Sequence, residues 1–532
     1  MDEARAAFEE ALRLDPAHPG AHFSLGYQDA QAGRLEDALA HFGAAAAARP
    51  KDAEAPYNQG LVLEKLDRAD EALAAFEAAV AADPGHAGAN SSLAFLLRAR
   101  GRNEEAARHF GKALSSRPQD AALQYGFGVT LYDLGHPADA ARALEEAYHL
   151  DMSIPGIANN LGLALLDAGE YDKAAPYFGM LLREHPDDND YRYRLALALT
   201  GAKRWQEALD AFAPLVAARP DDPAVLYDHG RALAGAGRRD EAVAAFRRVL
   251  ELDPARNAAR VSLGAELLAA GNPAEARALF DTVLAAEPEN AQALFNRARV
   301  DALEGRTDDA IAGYRAALAI ERDNAAVSLN LALALEAKGD TDAAGRAYAA
   351  AIGADPDLAL AHHNLAAILA ARGEKEAALA RYQEAERADP SSANTPKNMG
   401  FLLADLGRRE EAAEAFRRAL ALTPDDPDAR LGLADALQAL DRRDEALPEY
   451  ERALALREAH APTHKNLAFL LSKLNRPEEA AARFQRALAL DPSDPDAHCG
   501  LADALFNLHR LDEAETHYRE ALRLKPDFAL AL

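Results

Sequence analysis

Histidines, cysteines and paired carboxylates are the residue types that most often carry catalysis or hold metals, and their spacing in this chain supports neither role. His362 and His363 form the densest histidine cluster. Adjacent residues on a helix point apart, and no carboxylate or cysteine stands at ligand spacing beside them. Cys499 is the single cysteine, so neither a disulfide framework nor a multi-cysteine zinc site can form, and on a helix the adjacent His498 points away from it. Carboxylates are abundant, but they recur at a fixed interval, as solvated helix faces do and a tuned acid–base pair does not. The Gly-Phe-Gly run at Gly126–Gly128 lacks the third glycine of a dinucleotide loop and falls inside a helical pattern. These residues predict no catalytic residue, no cofactor and no metal site.

The elements that would position any other function follow from composition and period. At 532 residues the chain exceeds what one core supports, and its helix-forming residues are spread evenly, which favours an array of units that each pack on their neighbours. A net charge of −27 argues against nucleic acid and anionic lipid, both of which require a basic surface. It keeps a long array soluble and suits a basic partner. No basic-then-apolar leader opens the sequence and no apolar run approaches a membrane span, so a cytoplasmic protein is the expectation.

One register explains nearly every residue. Prolines recur every 34 residues from Pro16, through Pro50, Pro84 and Pro118 to Pro492 and Pro526, with Met152, Arg322 and Glu458 in the slots that lack one. Twenty-two residues after each slot stands an alanine, from Ala38 to Ala514, and four residues later a large ring, from Phe42 and Phe76 to Phe484, broken by Leu144. One turn apart on a helix, alanine and ring face the same way. Glycine or alanine ten residues after the proline slot, followed three residues later by leucine, defines a second amphipathic helix. Each unit therefore reads as helix A, turn, helix B, turn. Glycines at 33, 101, 135, 169 and onward stop helix A where a left-handed backbone is cheapest, and proline ends helix B.

The fingerprint Leu-Gly-x-x-Leu, Ala-x-x-x-Phe, Pro on a strict 34-residue period resembles the tetratricopeptide repeat along the whole chain. The family's tryptophan slot is filled here by residues such as His22, Asn90, Arg260 and His498. The resemblance implies an all-α, right-handed superhelical α-solenoid of tandem 34-residue helix-turn-helix repeats, of roughly two turns, with helices A lining its concave side. Residues 1–18 read as helix B of a partial repeat, 19–528 as fifteen repeats starting at 19 and every 34 residues thereafter, and 529–532 as the start of a further helix A. Neither end carries a polar capping helix, so a longer protein or end-to-end self-association is expected.

Positions 5, 6 and 9 of each repeat then face the groove. Position 6 carries Asn58, Asn160, Asn296, Asn330, Asn364, Asn398 and Asn466, an unfavourable mid-helix choice that calls for a reason. A similar asparagine ladder occurs in the repeat region of O-GlcNAc transferases, which implies side-chain amides that bond the backbone of an extended peptide. Position 5 carries Phe23, Tyr57, Tyr125, Tyr193, Tyr227 and Phe295, rings of the kind enriched in binding hot spots, and later Lys397 and Lys465. The carboxylate clamp of chaperone-tail adaptors is not matched, because a start at Lys397 supplies Phe401, Gly432, Pro462 and Asn466. The expectation is a non-catalytic scaffold holding protein or peptide partners in its groove. The alternative is the substrate-recognition region of a larger O-GlcNAc-transferase-like glycosyltransferase.

Overall fold

The computed structural model describes residues 2–526, so the further helix A expected at 529–532 lies outside the described residues. Every regular element among the described residues is helical, running from Asp2–Leu14 to Leu511–Leu524. The chain forms two compact units, residues 1–270 and 271–532. Each is a solenoid of alternating helices A and B.

The local chemistry sets the boundaries. Helix A is commonly opened by an Asn or Asp whose side chain accepts from the first-turn amides, as Asp222 does for Pro223–Gly235 and Asn324 for Ala325–Lys338. It closes on a left-handed residue: Gly33, Gly237 and Gly407 at φ of 75°, 74° and 76°. Where the sequence lacks that glycine, Asp67, Lys203, Asp441, Asn475 and His509 take the same conformation at φ of 57° to 61°, at a steric cost to any side chain. Helix B stops two residues before the proline, as Leu35–Ala48 does before Pro50. Arg49, the residue preceding that proline, is driven to an extended φ of −133°. One helix A departs from the register: Ile157–Asp167 begins late, because Pro155 is followed by Gly156 at φ 78°.

The repeated alanine is the notch of the core. Ala72, Ala106, Ala242, Ala378 and Ala446 are all fully buried, as are the rings of Phe76, Phe110 and Phe246 one turn on. Two repeats depart from the leucine expected at position 11. Asp29 and Asp301 stand there instead, both buried. Asp29 accepts from Arg5 Nη1 at 2.6 Å and Arg34 Nη2 at 2.5 Å. Asp301 accepts from Arg277 at 3.0 Å and Arg306 at 2.8 Å, and is also bonded by Arg297. A lone buried carboxylate would be costly, and the arginines supply the compensation.

Successive helices A touch one another. In the first unit Pro19–Gln31 meets Glu54–Lys65, Ala87–Ala99 meets Ala121–Asp133, and Asn189–Gly201 meets Pro223–Gly235. In the second unit Asn394–Asp405, Pro427–Ala439, Ala461–Lys473 and Pro495–Asn507 follow in series. Among the described residues no two successive helices B pack to that extent. A stack whose A helices lie closer together than its B helices must curve with A inside, which makes helix A the inner face of each unit.

Candidate peptide-binding face

Positions 5, 6 and 9 of helix A, the residues expected on the inner face, each have a distinct job. The rings at position 5 are half-buried wedges. Phe23 packs edge-on against Phe42 with centroids 5.6 Å apart, Tyr57 lies 5.9 Å from Phe76, Tyr193 6.3 Å from Phe212, Tyr227 5.9 Å from Phe246, and Phe295 6.0 Å from Tyr314. Their partners are the buried rings of helix B in the same repeat, so these residues form the floor of the face.

Their hydroxyls tie repeats together. Tyr125 donates to the Pro155 carbonyl at 3.3 Å and accepts from Asn160 Nδ2 at 2.8 Å. Tyr193 donates to Asp228, at position 6 of the next repeat, and burial together with that carboxylate pushes its phenol well above the usual range.

The asparagines at position 6 are engaged within the chain. Asn58, Asn296 and Asn330 donate to carbonyls one turn back, those of Glu54, Gln292 and Ala326, at 2.8, 3.0 and 2.8 Å. Asn364 donates to Tyr348 Oη at 2.9 Å, Asn398 Nδ2 lies 3.3 Å from His363 Nε2, and Asn466 donates to Asp435 Oδ1 at 2.9 Å. Asp435 also accepts from the buried Tyr450 hydroxyl. Burial raises the Asp435 carboxyl above its usual range, and the bonds from Tyr450 and Asn466 oppose that shift without cancelling it. A pairing rule emerges: Tyr314, Tyr348, Tyr382 and Tyr450 are each followed sixteen residues on by an asparagine, Asn330, Asn364, Asn398 and Asn466. That spacing was readable in the sequence, but its meaning depends on the ring of one repeat reaching helix A of the next.

Lys397 and Lys465 are ion-paired, which alters the basic character expected for this part of the face. Lys397 Nζ lies 2.8 Å from Asp426 and Lys465 Nζ 2.6 Å from Asp494. Each aspartate is the cap of the following helix A. Burial raises the Asp426 carboxyl, but the bond from Lys397 and those from backbone amides outweigh it and hold it below its usual range.

Position 9 supplies the residues that sequence reasoning placed on the face without naming them. Tyr27, Phe95, Leu333 and Phe401 are 52%, 38%, 38% and 44% exposed, unusual for large apolar side chains. Tyr27 and Phe95 join the part-buried Leu61, Val129, Leu163 and Leu197 in an apolar stripe through position 9 of the first six repeats, while Leu333 and Phe401 lie in the second unit. For Phe95, Phe401 and Phe469 the signal was the glycine at position 6 of the next repeat, Gly126, Gly432 and Gly500. Phe95, Phe401 and Phe469 stack edge-on with Phe110, Phe416 and Phe484, each pair 4.9 Å apart. The displaced helix B ring then occupies the space above Gly126, Gly432 or Gly500, where an added Cβ would meet it at 2.8, 2.4 or 2.3 Å.

Among the described residues no group of three or more His, Cys, Asp or Glu could hold a metal ion, and no helix is long and apolar enough to cross a membrane. Cys499 is buried, and burial first, with Asp503 and Asp496 adding to it, raises its thiol to about 11, the opposite of activation.

Family models for the tetratricopeptide repeat match residues 1–27, 29–87, 159–223, 227–265, 261–327, 329–393 and 466–527, and related repeat models match 97–152, 400–441 and 425–493. The chain belongs to the tetratricopeptide repeat family. No curated protein matches it. Among solved structures it is similar to YrrB, described as a tetratricopeptide repeat protein with an unusual peptide-binding site, at 26% identity and TM-score 0.33, over 35% of this chain and 96% of that one. It is also similar to the APC/C hetero-tetramer Cut9–Hcn1, at 15% identity and TM-score 0.37 over 92% and 96%, and to pilF of Pseudomonas aeruginosa, at 21% and 0.35 over 39% and 94%. A tetratricopeptide array with no strand among its described residues supports a protein-interaction scaffold.

Proposed function

We propose that this tetratricopeptide protein is a non-catalytic scaffold whose inner face in the first compact unit seats an extended, apolar-rich peptide segment of a partner protein. The observation that carries this reading is the exposed apolar stripe at position 9, led by Tyr27 and Phe95. Large rings held in place by their neighbours lose little entropy on binding and act as anchors. The position 5 rings Phe23, Tyr57, Tyr125, Tyr193 and Tyr227 stand one turn before position 9 on the same helices. The asparagines act in this reading as positioning residues: one N–H is spent inside the chain, and the remaining amide capacity of Asn58 and Asn160 is available to a bound backbone.

Selection of displayed random peptides on the full chain tests it. Recovered peptides should be rich in large apolar residues, and Tyr27→Ala/Phe95→Ala should lose most of the affinity while retaining its helicity. Peptides bound with undiminished affinity by that variant would remove the inner face of the first unit from the proposal.

A further inference from the structure

Within a repeat, position 4 of helix A faces position 23 of helix B, and in two repeats polar side chains there are matched as donor and acceptor. His109 Nδ1 bonds Asn90 Oδ1 at 2.8 Å, and Arg430 donates to Glu449 at 2.7 Å. In two others both positions are histidine. Nδ1 of His22 lies 3.0 Å from Nδ1 of His41, and Nδ1 of His498 lies 3.0 Å from Nδ1 of His517. The opposite nitrogen of each position 4 ring meets a carbonyl: His22 Nε2 is 3.0 Å from Pro16 O, and His498 Nε2 is 3.2 Å from Pro492 O. A carbonyl only accepts, so that nitrogen carries the hydrogen and the neutral ring turns a lone pair toward its partner.

In the first pair a buried carboxylate stands near the partner as well. His41 Nε2 lies 3.7 Å from Asp29 Oδ2, an oxygen of a fully buried carboxylate that has no hydrogen-bond partner. At 3.7 Å that contact is longer than a hydrogen bond and leaves both tautomers open to His41. With its hydrogen on Nδ1 the ring donates to its partner, and with the hydrogen on Nε2 both Nδ1 lone pairs are free to take up one cation.

We propose that these two histidine pairs are sites for a nitrogen-preferring divalent transition metal (Ni2+, Cu2+ or Zn2+), one stapling helix A to helix B at His22 and His41, the other at His498 and His517. Two ligands at right angles and about 2.1 Å from an ion stand about 3.0 Å apart, the separation found in both pairs. The carbonyls of Pro16 and Pro492 play the orienting part that ligating histidines normally require. The other coordination positions fall to water, and the His41 side chain is 24% exposed, so an ion has a route in. A proton is the competing occupant. Burial first, then His22, lowers the His41 pKa despite Asp29 and Asp37 nearby, and burial with His498 does the same to His517 despite Glu513 and Glu520.

Equilibrium dialysis of the full chain against Ni2+ tests the proposal. His22→Asn/His498→Asn rebuilds the Asn–His pair that the fold already accommodates at Asn90 and His109, and His41→Asn/His517→Asn serves if that variant loses helicity. The double variant is expected to take up about two fewer ions per chain than the native protein, and each single variant about one fewer. Equal uptake by native and variant chains would overturn the assignment. So would nuclear magnetic resonance titrations in which His41 and His517 of the metal-free protein protonate above the usual histidine range, since the pairs would then be proton-held.

Discussion

At the scale of single residues, side chains of one repeat decide what the next repeat can carry. The buried Tyr348 hydroxyl donates to Glu336 at 2.5 Å and accepts from Asn364, so the asparagine has a role inside the fold. Asn364→Ala should cost about 1 kcal/mol, and in a double-mutant cycle with Tyr348→Phe most of that cost should disappear. Additive losses in denaturant melts would separate the pair. Glycine at position 6 has the converse cause. Gly432→Ala places a methyl 2.4 Å from the Phe416 ring and should destabilise its surroundings by about 1–3 kcal/mol. Gly111→Ala, on a helix with nothing within 4 Å of the new methyl, should stabilise by about 1 kcal/mol. Opposite shifts in the melting curves of these two variants are the expected result.

At the scale of elements, the joints between helices differ in chemistry while sharing geometry. Most are closed by leucine and alanine, but Asp2–Leu14 is held to Pro19–Gln31 through the buried Asp29 and its arginines. Burial raises the Asp29 carboxyl, yet the bonds from Arg5 and Arg34 outweigh it, so its pKa is lowered. A group whose folded pKa lies below its unfolded value stabilises fully above the unfolded value, about 3.9 for aspartate, and loses that contribution as pH falls through the folded one. Amide exchange of residues 2–14 should therefore accelerate below about pH 4 in the native chain. In Asp29→Leu/Arg5→Leu, which restores the apolar joint used elsewhere, that acid step should vanish. An acid step of the same size in both would place the cause in another carboxylate.

At the scale of the whole molecule, stability is a chain of nearest-neighbour terms, so damage should stay local. Ala242 is fully buried in the notch beneath Phe246. Ala242→Leu should overpack that contact by about 1–3 kcal/mol. Hydrogen exchange should show lost protection in the flanking helices of residues 1–270, with residues 271–532 unaffected. Loss of protection throughout the chain would mean that the array unfolds as a single cooperative block.

The period, the order of helices, the alanine notch and the glycine stops were legible in the residues, because each depends on contacts within a repeat or between immediate neighbours. Even the Tyr–Asn and Phe–Gly couplings were present as fixed spacings of sixteen and thirty-one residues, between Tyr348 and Asn364 and between Phe401 and Gly432. The folded structure sets what those spacings do. It engaged the position 6 amides within the chain, neutralised Lys397 and Lys465 with the caps of the next repeats, and left Tyr27 and Phe95 exposed. It also set His22 against His41, nineteen residues apart on two helices, a pairing that adjacency along the chain does not show. The physical reason is the same in each case. A side chain's hydrogen-bond capacity and charge are consumed by whichever neighbour the packing brings within about 3 Å, and a linear spacing names the candidates without saying which of them is reached.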